Sequence, residues 1–262
     1  MEEYKENNLN DFLQETRYCD FNNSAIKSLA YDLTSCFSSD TEKAVALFSY
    51  VRDNILYEFG DWGKKASVVL EQKRGMCTNS ANLLIALFRA IGLPSGYGVM
   101  RVDTKEYFGP IMLSTFKGLV SDRSVHIYVY VYLNNKWVKC DPSTDKDLSE
   151  KTSYFSPTTE LLLWDGLNDK IDNIDSRHIY SDLGPLSNID EMLDKKPKRG
   201  TKSTIKIGNL YINFLRENAV KVDNSEQLEP MFFSWLRKKD PISYVSFLPI
   251  IKLKSFGKRK TS

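Results

Sequence analysis

The 262-residue sequence predicts an α+β fold in which N-terminal helices pack on an antiparallel β-sheet. Three patterns carry that expectation. Before residue 92 the apolar residues recur at helical spacing. Residues 124–133, SVHIYVYVYL, are rich in β-branched and aromatic side chains, as strands are. Asn134-Asn135 then divides that run from Lys136–Cys140, as a tight hairpin turn does.

Taken in order, residues 24–37 carry Ile26, Leu29, Ala30, Leu33 and Phe37 on one helical face. Residues 40–57 open with Asp40 and Thr41, good N-cap types, and continue with Ala44, Leu47, Phe48, Val51 and Ile55. Gly60 and Gly63 mark a loop around Trp62, and Ala66–Leu70 reads as a short helix. Residues 77–91, CTNSANLLIALFRAI, form an apolar helix fit for the interior, stopped by Gly92-Leu93-Pro94. Residues 96–102 read as a strand and 104–122, with Gly109, Pro110 and Gly118, as a long excursion or lid. Residues 143–200 are polar and predict loops and short helices. Residues 208–217 alternate weakly, and 228–250 are aromatic-rich but interrupted by Pro241 and Pro249. The end, KLKSFGKRKTS, predicts disorder. One domain with appendages follows from the length: an N-terminal helical segment over 1–39, a core over 40–145, and a region over 146–262 that wraps the core or docks a partner.

Apolar residues make up 42% and charged residues 27%, so a real core and a soluble chain are both expected. No stretch reaches the length of a membrane-spanning helix. The start, MEEYKENNLNDF, is polar and acidic and does not read as a signal peptide. Cys19, Cys36, Cys77 and Cys140 show no CxxC spacing, which argues against a zinc site and for reduced thiols in the cytoplasm. No glycine-rich phosphate loop follows a strand, so no organic cofactor is expected. Charge is unevenly spread. Residues 1–194 hold 20 Lys and Arg against 29 Asp and Glu, a balance of −9, whereas residues 195–262 hold 16 against 5, a balance of +11. The basic stretch is a solvated surface or a docking face for an acidic partner such as a carrier protein. Nucleic acid is the weaker choice, because the candidate site offers it no evident chemistry.

The candidate chemistry rests on Cys77, His126 and Asp141. Cys77 follows Gly75-Met76 and opens the apolar helix, where the helix dipole and unpaired N–H groups favour a thiolate and an oxyanion. His126 shares one strand face with Tyr128, Tyr130 and Tyr132, and Val125, Ile127, Val129 and Val131 share the other. A turn at Asn134-Asn135 pairs residues whose numbers sum to about 269, which brings Asp141 within about two residues of His126 in cross-strand register. An aspartate there can accept the imidazole N–H and fix its tautomer. Alone, each has a plainer explanation: a core cysteine, an idle strand histidine, a turn aspartate before Pro142. Together they are far more specific. His178 lies in a polar loop and reads as non-catalytic. Trp137, Trp164 and Trp235 read as packing residues.

In this order the residues resemble the transglutaminase-like superfamily, a branch of the papain-like cysteine enzymes. The resemblance lies in RGMCTNSANLLIALFRAIGLPSGYGV (Arg74 to Val99) and VHIYVYVYLNNKWVKCDPS (Val125 to Ser143), with ALFSYVRDNILYEF and KASVVLEQKRG upstream. It covers about residues 40–145. Tyr128 stands where many members have Trp, and the 103–123 insertion exceeds what the compact fold needs. The resemblance implies a papain/transglutaminase-like core, with Cys77 as nucleophile, His126 as general base and acid, and Asp141 as orienter. Tyr57 and Trp62 are the candidates for a second oxyanion donor, and no metal is expected. Some animal transglutaminases use calcium, but no run of alternating Asp and Asn with a closing Glu appears here. The expected activity is amide-forming acyl transfer through a thioacyl-enzyme at Cys77, from a thioester or carrier-bound donor to an amine, as in small-molecule biosynthesis. The alternatives are a cysteine protease or amidase that passes the acyl group to water, and a non-enzymatic interaction module.

Overall fold

In the computed structural model, residues 9–117, 120–195, 201–219, 222 and 225–248 are described. Helices α1 (Ser24–Thr34) and α2 (Asp40–Asn54) form where the apolar spacing places them, each ending a few residues earlier than the pattern. Ser39, one residue before the expected caps, closes α2. Its hydroxyl accepts from the Glu42 N–H at 3.2 Å while the Glu42 carboxylate accepts from the Ser39 N–H. The chain then extends into β1 (Leu56–Tyr57), which pairs in parallel with β2 (Arg74–Gly75) across the short helix α3 (Ala66–Gln72).

Helix α4 (Cys77–Ala90) is the hub: every residue from Cys77 to Arg89 is buried. It packs against α1, α2, α3 and the sheet, which explains why its apolar residues are not confined to one stripe. Gly92, at φ +81°, supplies the left-handed residue that stops it.

The sheet contains β3 (Ser95–Asp103), β4 (Arg123–Leu133) and β5 (Lys136–Cys140). A fourth strand, β6 (Ile179–Leu186), pairs with the free side of β3, so the order is β5-β4-β3-β6, antiparallel throughout. Asn134 and Asn135 both take positive φ, 50° and 62°, as a two-residue hairpin requires. The resulting ladder pairs Tyr130 with Lys139 and Val129 with Cys140, the register expected from the turn. Ile127, Val129 and Val131 join the main core with α4, whereas Tyr128 and Tyr130 pack in a smaller cluster with Met100, Val102 and Tyr107.

The remaining helices surround one end of this core. Helix α5 (Thr104–Phe108) opens the excursion between β3 and β4. Helix α6 (Lys146–Thr152) follows β5, α7 (Asp190–Lys195) follows β6, and α8 (Lys202–Asn218) and α9 (Leu228–Lys239) come last, with a further helical stretch over 241–248. Two readings of the sequence are corrected here. Residues 179–186 are an edge strand rather than loop. Residues 208–217 are helical: Ile207, Tyr211, Ile212, Phe214 and Leu215 bury one helical face that resembles weak alternation in a short window. That face joins Ile111, Leu113, Phe232 and Phe247 in a second hydrophobic cluster. The C-terminal aromatics Tyr211, Phe214, Phe232, Phe233, Trp235 and Tyr244 all belong to it or pack against it. The predicted disorder of the last eleven residues lies outside the described residues, as do Lys196, Lys198 and Arg199 of the expected docking face. No described helix is long and apolar enough to cross a membrane.

Candidate active site

Cys77 is the first residue of α4, reached through the turn Gly75-Met76. A Cβ on Gly75 would lie 2.5 Å from the Cβ of Asn79, so only glycine lets the chain pass the helix at this distance. Asn79 secures the turn. Its Oδ1 accepts from the Met76 N–H at 2.8 Å, and its Nδ2 donates to the Trp62 carbonyl at 2.9 Å. The start of the cysteine helix and the loop carrying Trp62 are thereby one unit. The sequence did not single out Asn79, which resembles an ordinary polar residue in a first helical turn.

His126 sits near the start of β4, opposite Met100 of β3. Asp141 immediately follows the last residue of β5. Their side chains meet, with His126 Nε2 2.5 Å from Asp141 Oδ2, and both residues are almost wholly buried. The second carboxylate oxygen of Asp141 accepts the Ser143 N–H at 3.1 Å. Burial by itself lowers the basicity of His126, but the charge and hydrogen bond of Asp141, hydrogen bonding with Cys77 and the charge of Asp172 outweigh it. The imidazole is held well above its ordinary value. Burial likewise pushes Asp141 up, and His126 and Ser143 outweigh it, so this carboxyl is held below its ordinary value. Each partner thus favours the ionised form of the other. Cys77 lines the same cavity as His126.

Two further residues complete the cluster. The Tyr107 hydroxyl lies 3.1 Å from His126 Nδ1 and donates a short hydrogen bond to Asp172 Oδ2. Since a phenol has one proton, its oxygen then accepts from Nδ1–H, in keeping with an imidazolium. Asp172 is buried, its Oδ2 is 3.9 Å from His126 Nε2, and its Oδ1 has no hydrogen-bond partner. Burial first, then the charge of Asp141, push its carboxyl up to about 7 against the opposing pull of His126 and Tyr107. Neither residue has a sequence signature, since Tyr107 lies in the excursion and Asp172 in the polar run Asp169–Asp175. His126, Asp141 and Asp172 also place potential ligand atoms within 4.8 Å of one another, a metal-like spacing that the sequence did not reveal. Here Nε2 faces Asp141, and one Asp172 oxygen accepts the Tyr107 O–H. His178 lies elsewhere, 3.8 Å from Glu106.

Cys77 and His126 both open into a cavity of about 570 Å³. Tyr57 and Trp62 line it, as does the excursion through Ile111, Met112 and Phe116. Helix α8 lines it as well, with Ile205, Ile207 and Tyr211. That helix is pinned to the Tyr57–Trp62 loop: Asn209 exchanges two hydrogen bonds with the Phe59 backbone, at 2.8 and 2.9 Å. Arg216 binds the Tyr57 carbonyl and the buried Asp145 carboxylate, each at 2.6 Å. Asp145 in turn accepts the Tyr57 N–H at 2.8 Å and caps α6.

Residues 27–142 match the family model of the transglutaminase-like superfamily. The core of this chain is transglutaminase-like. The matched span begins within α1 and ends just past Asp141, so it takes in Cys77, His126 and Asp141 and leaves out Asp172 and α8. Among solved structures, the transglutaminase-like core is similar to a candidate cysteine protease from Cytophaga hutchinsonii, at 20% identity and a TM-score of 0.42, over 53% of this chain and 43% of that one. A candidate protease from Parabacteroides distasonis matches at 17% identity and a TM-score of 0.34, over 50% of this chain and 24% of that one. The periplasmic domain of TgpA from Pseudomonas aeruginosa, bound to ethylmercury, matches at 16% identity and a TM-score of 0.34, over 50% and 46%. The chain thus spans less than half the length of each. Comparison with curated proteins gives no match.

Proposed function

We propose that the protein is a cysteine acyltransferase that forms amide bonds, with Cys77 as nucleophile, His126 as general base and acid, and Asp141 as orienter. The observation that carries this reading is the buried 2.5 Å contact between His126 and Asp141, on the same cavity as a cysteine that begins a helix. Asp141 holds Nε2, so the proton exchanged with the thiol is the one on Nδ1, which must leave its 3.1 Å contact with the Tyr107 hydroxyl to reach the sulfur. The thiolate attacks the donor carbonyl. The Cys77 N–H, at the helix start, is placed to stabilise the oxyanion, with Tyr57 or Trp62 as the second donor. Collapse breaks the bond to the leaving thiol, which takes the proton from His126. An amine then attacks the thioacyl-enzyme, His126 accepts its proton, and the Cys77 thiol is released with the amide.

A hydrolase shares the first half of this sequence and differs only in the acceptor. The apolar walls of the cavity favour an organic amine over water, which such a surface holds poorly. The donor is proposed to be a thioester, carrier-bound in the full reaction. The basic segment from Lys195 runs in sequence into Thr201, which lines the cavity, and would steer an acidic carrier toward it. All four cysteines are free, which supports a reducing compartment such as the cytoplasm. Intact-mass spectrometry after incubation with acetyl and longer thioesters tests the proposal. An acyl adduct mapped to Cys77 and absent from Cys77→Ala is expected. No adduct with any donor, or one spread over the other cysteines, overturns it.

A further inference from the structure

Building on that reading, we infer that the cavity beside Cys77 is an acyl-chain site, selecting donors whose acyl group is neutral and apolar. The first observation is the absence of charge. In a chain with 27% charged residues, no Asp, Glu, Lys or Arg is found among the described residues that line the cavity. His126 is the one ordinarily titrating base there, and it belongs to the reacting end.

The second observation is that much of the polar lining is already hydrogen-bonded within the protein. The Thr104 and Ser124 hydroxyls bind each other at 2.8 Å. Thr158 donates to the Tyr107 carbonyl at 2.8 Å, and Thr159 donates to the Ser156 carbonyl at 2.9 Å. Hydroxyls spent in this way do not call for a charged or strongly hydrogen-bonding ligand. What remains is apolar surface: Ile111, Met112 and Phe116 from the excursion, Ile205, Ile207 and Ile212 from α8. The volume, about 570 Å³, falls within the range that encloses a small ligand, roughly 300–1,000 Å³. The site is therefore too large for an acetyl group alone and, away from His126, presents no charged partner to a carboxylate or an ammonium.

The third observation is where these walls come from. The excursion between β3 and β4 and helix α8 both line the cavity, and α8 is outside the matched family span. The acyl site is thus shared between the excursion, inside the matched span, and α8, outside it.

The test is a series of N-acetylcysteamine thioesters with acetyl, hexanoyl, decanoyl and adipoyl groups, with a glutamine peptide as a further donor. The readout is kcat/KM for acylation of Cys77 by intact-mass kinetics. Each methylene buried is worth about fourfold, so decanoyl should exceed hexanoyl by on the order of a hundredfold. Adipoyl has the hexanoyl length with a terminal carboxylate, and it should react at least about tenfold more slowly than hexanoyl, because the carboxylate finds no partner. Ile205→Trp, which fills the cavity, should lower the decanoyl-to-acetyl ratio by about tenfold or more. Equal rates for acetyl and decanoyl, or a preference for adipoyl or the glutamine peptide, overturn the acyl-chain site while leaving the nucleophile assignment standing. Direct binding of decanoyl amide to Cys77→Ala by calorimetry separates the two failures: binding without acylation of the unmodified protein retains the site and sinks the acyl-transfer reading.

Discussion

Asp172 offers the sharpest physical test of the cluster around His126. Its carboxyl has an ordinary value of 3.8 and is pushed up to about 7, first by burial and then by the charge of Asp141. The sign of the effect on stability follows directly. Below about pH 4 the group is protonated in both folded and unfolded chains and costs nothing. Between about 4 and 7 the unfolded chain ionises while the folded one keeps its proton, so stability falls as pH rises. Above about 7 the loss is complete, at roughly three units of about 1.4 kcal/mol each, or about 4 kcal/mol. Set against a total of about 5–15 kcal/mol for a typical domain, that is a large share. The neighbours do not mask it. Asp141, held low, contributes stability that is present above its unfolded value and disappears only as pH falls through its folded one. His126, held high, contributes stability that is full below its ordinary 6.5 and disappears as pH rises through its folded value.

Asp172→Asn removes the ionisable group and keeps the shape. Urea unfolding of both proteins at pH 5 and pH 8 should show the native chain losing about 2–3 kcal/mol relative to the variant between the two. The same substitution removes a charge that raises the imidazole, so the alkaline limb of the acylation pH profile should move to lower pH. Parallel stability curves for the two proteins would refute the placement of an ionisable Asp172 in this buried cluster.

Three other outcomes are expected. His126→Ala should reduce acylation of Cys77 by about 10³-fold or more, and Asp141→Asn should do less damage because it keeps the hydrogen-bonded shape; single-turnover kinetics of the two variants decide this. Arg216→Met should cost about 3–5 kcal/mol in chemical denaturation, because it strands the buried Asp145 carboxylate, and adding Asp145→Asn should recover much of that loss. Acylation should survive EDTA. Loss of activity restored by one particular metal would instead make the His126, Asp141 and Asp172 cluster a metal site.

The parts of this protein that could be read from the sequence are those where local rules and tertiary packing agree. The Asn134-Asn135 turn demands two left-handed residues, and once it is placed the register of β4 and β5 follows by counting. The burial of α4 shows in its unbroken apolar content. Other parts were hidden because tertiary contacts decide them. Strand β6 is an edge strand with exposed Tyr180 and Leu183 and a Gly184-Pro185 break, so it lacks the pattern of a central strand. Helix α8 carries Gly208 and Asn209 mid-helix. Both look unfavourable until the Phe59 loop is in place, against which Gly208 packs and to which Asn209 bonds. Asp172 and Tyr107 come from irregular segments, where no periodicity marks a residue as buried.

The uneven charge of the chain takes on a different meaning once these contacts are known. From sequence, the basic C-terminal third with its many aromatics pointed either to packing or to a partner. The aromatics are taken up in the second hydrophobic cluster. Several of the basic groups hold the same region to itself or to the core: Arg216 on Asp145, Lys206 on Asp240 at 2.6 Å, Lys195 on Glu191 at 2.9 Å. Of these, the Arg216 pair is the one buried beneath the loop that carries Tyr57, and it ties α8 to the cavity rim. In the proposed function, the transglutaminase-like core supplies Cys77, His126 and Asp141 as nucleophile, base and orienter. What it would accept depends on the walls around them, and here the excursion and α8 build those walls from apolar residues. In the proposed enzyme, then, the reacting centre belongs to the matched family span, and the choice of donor is shared between the excursion inside that span and α8 outside it.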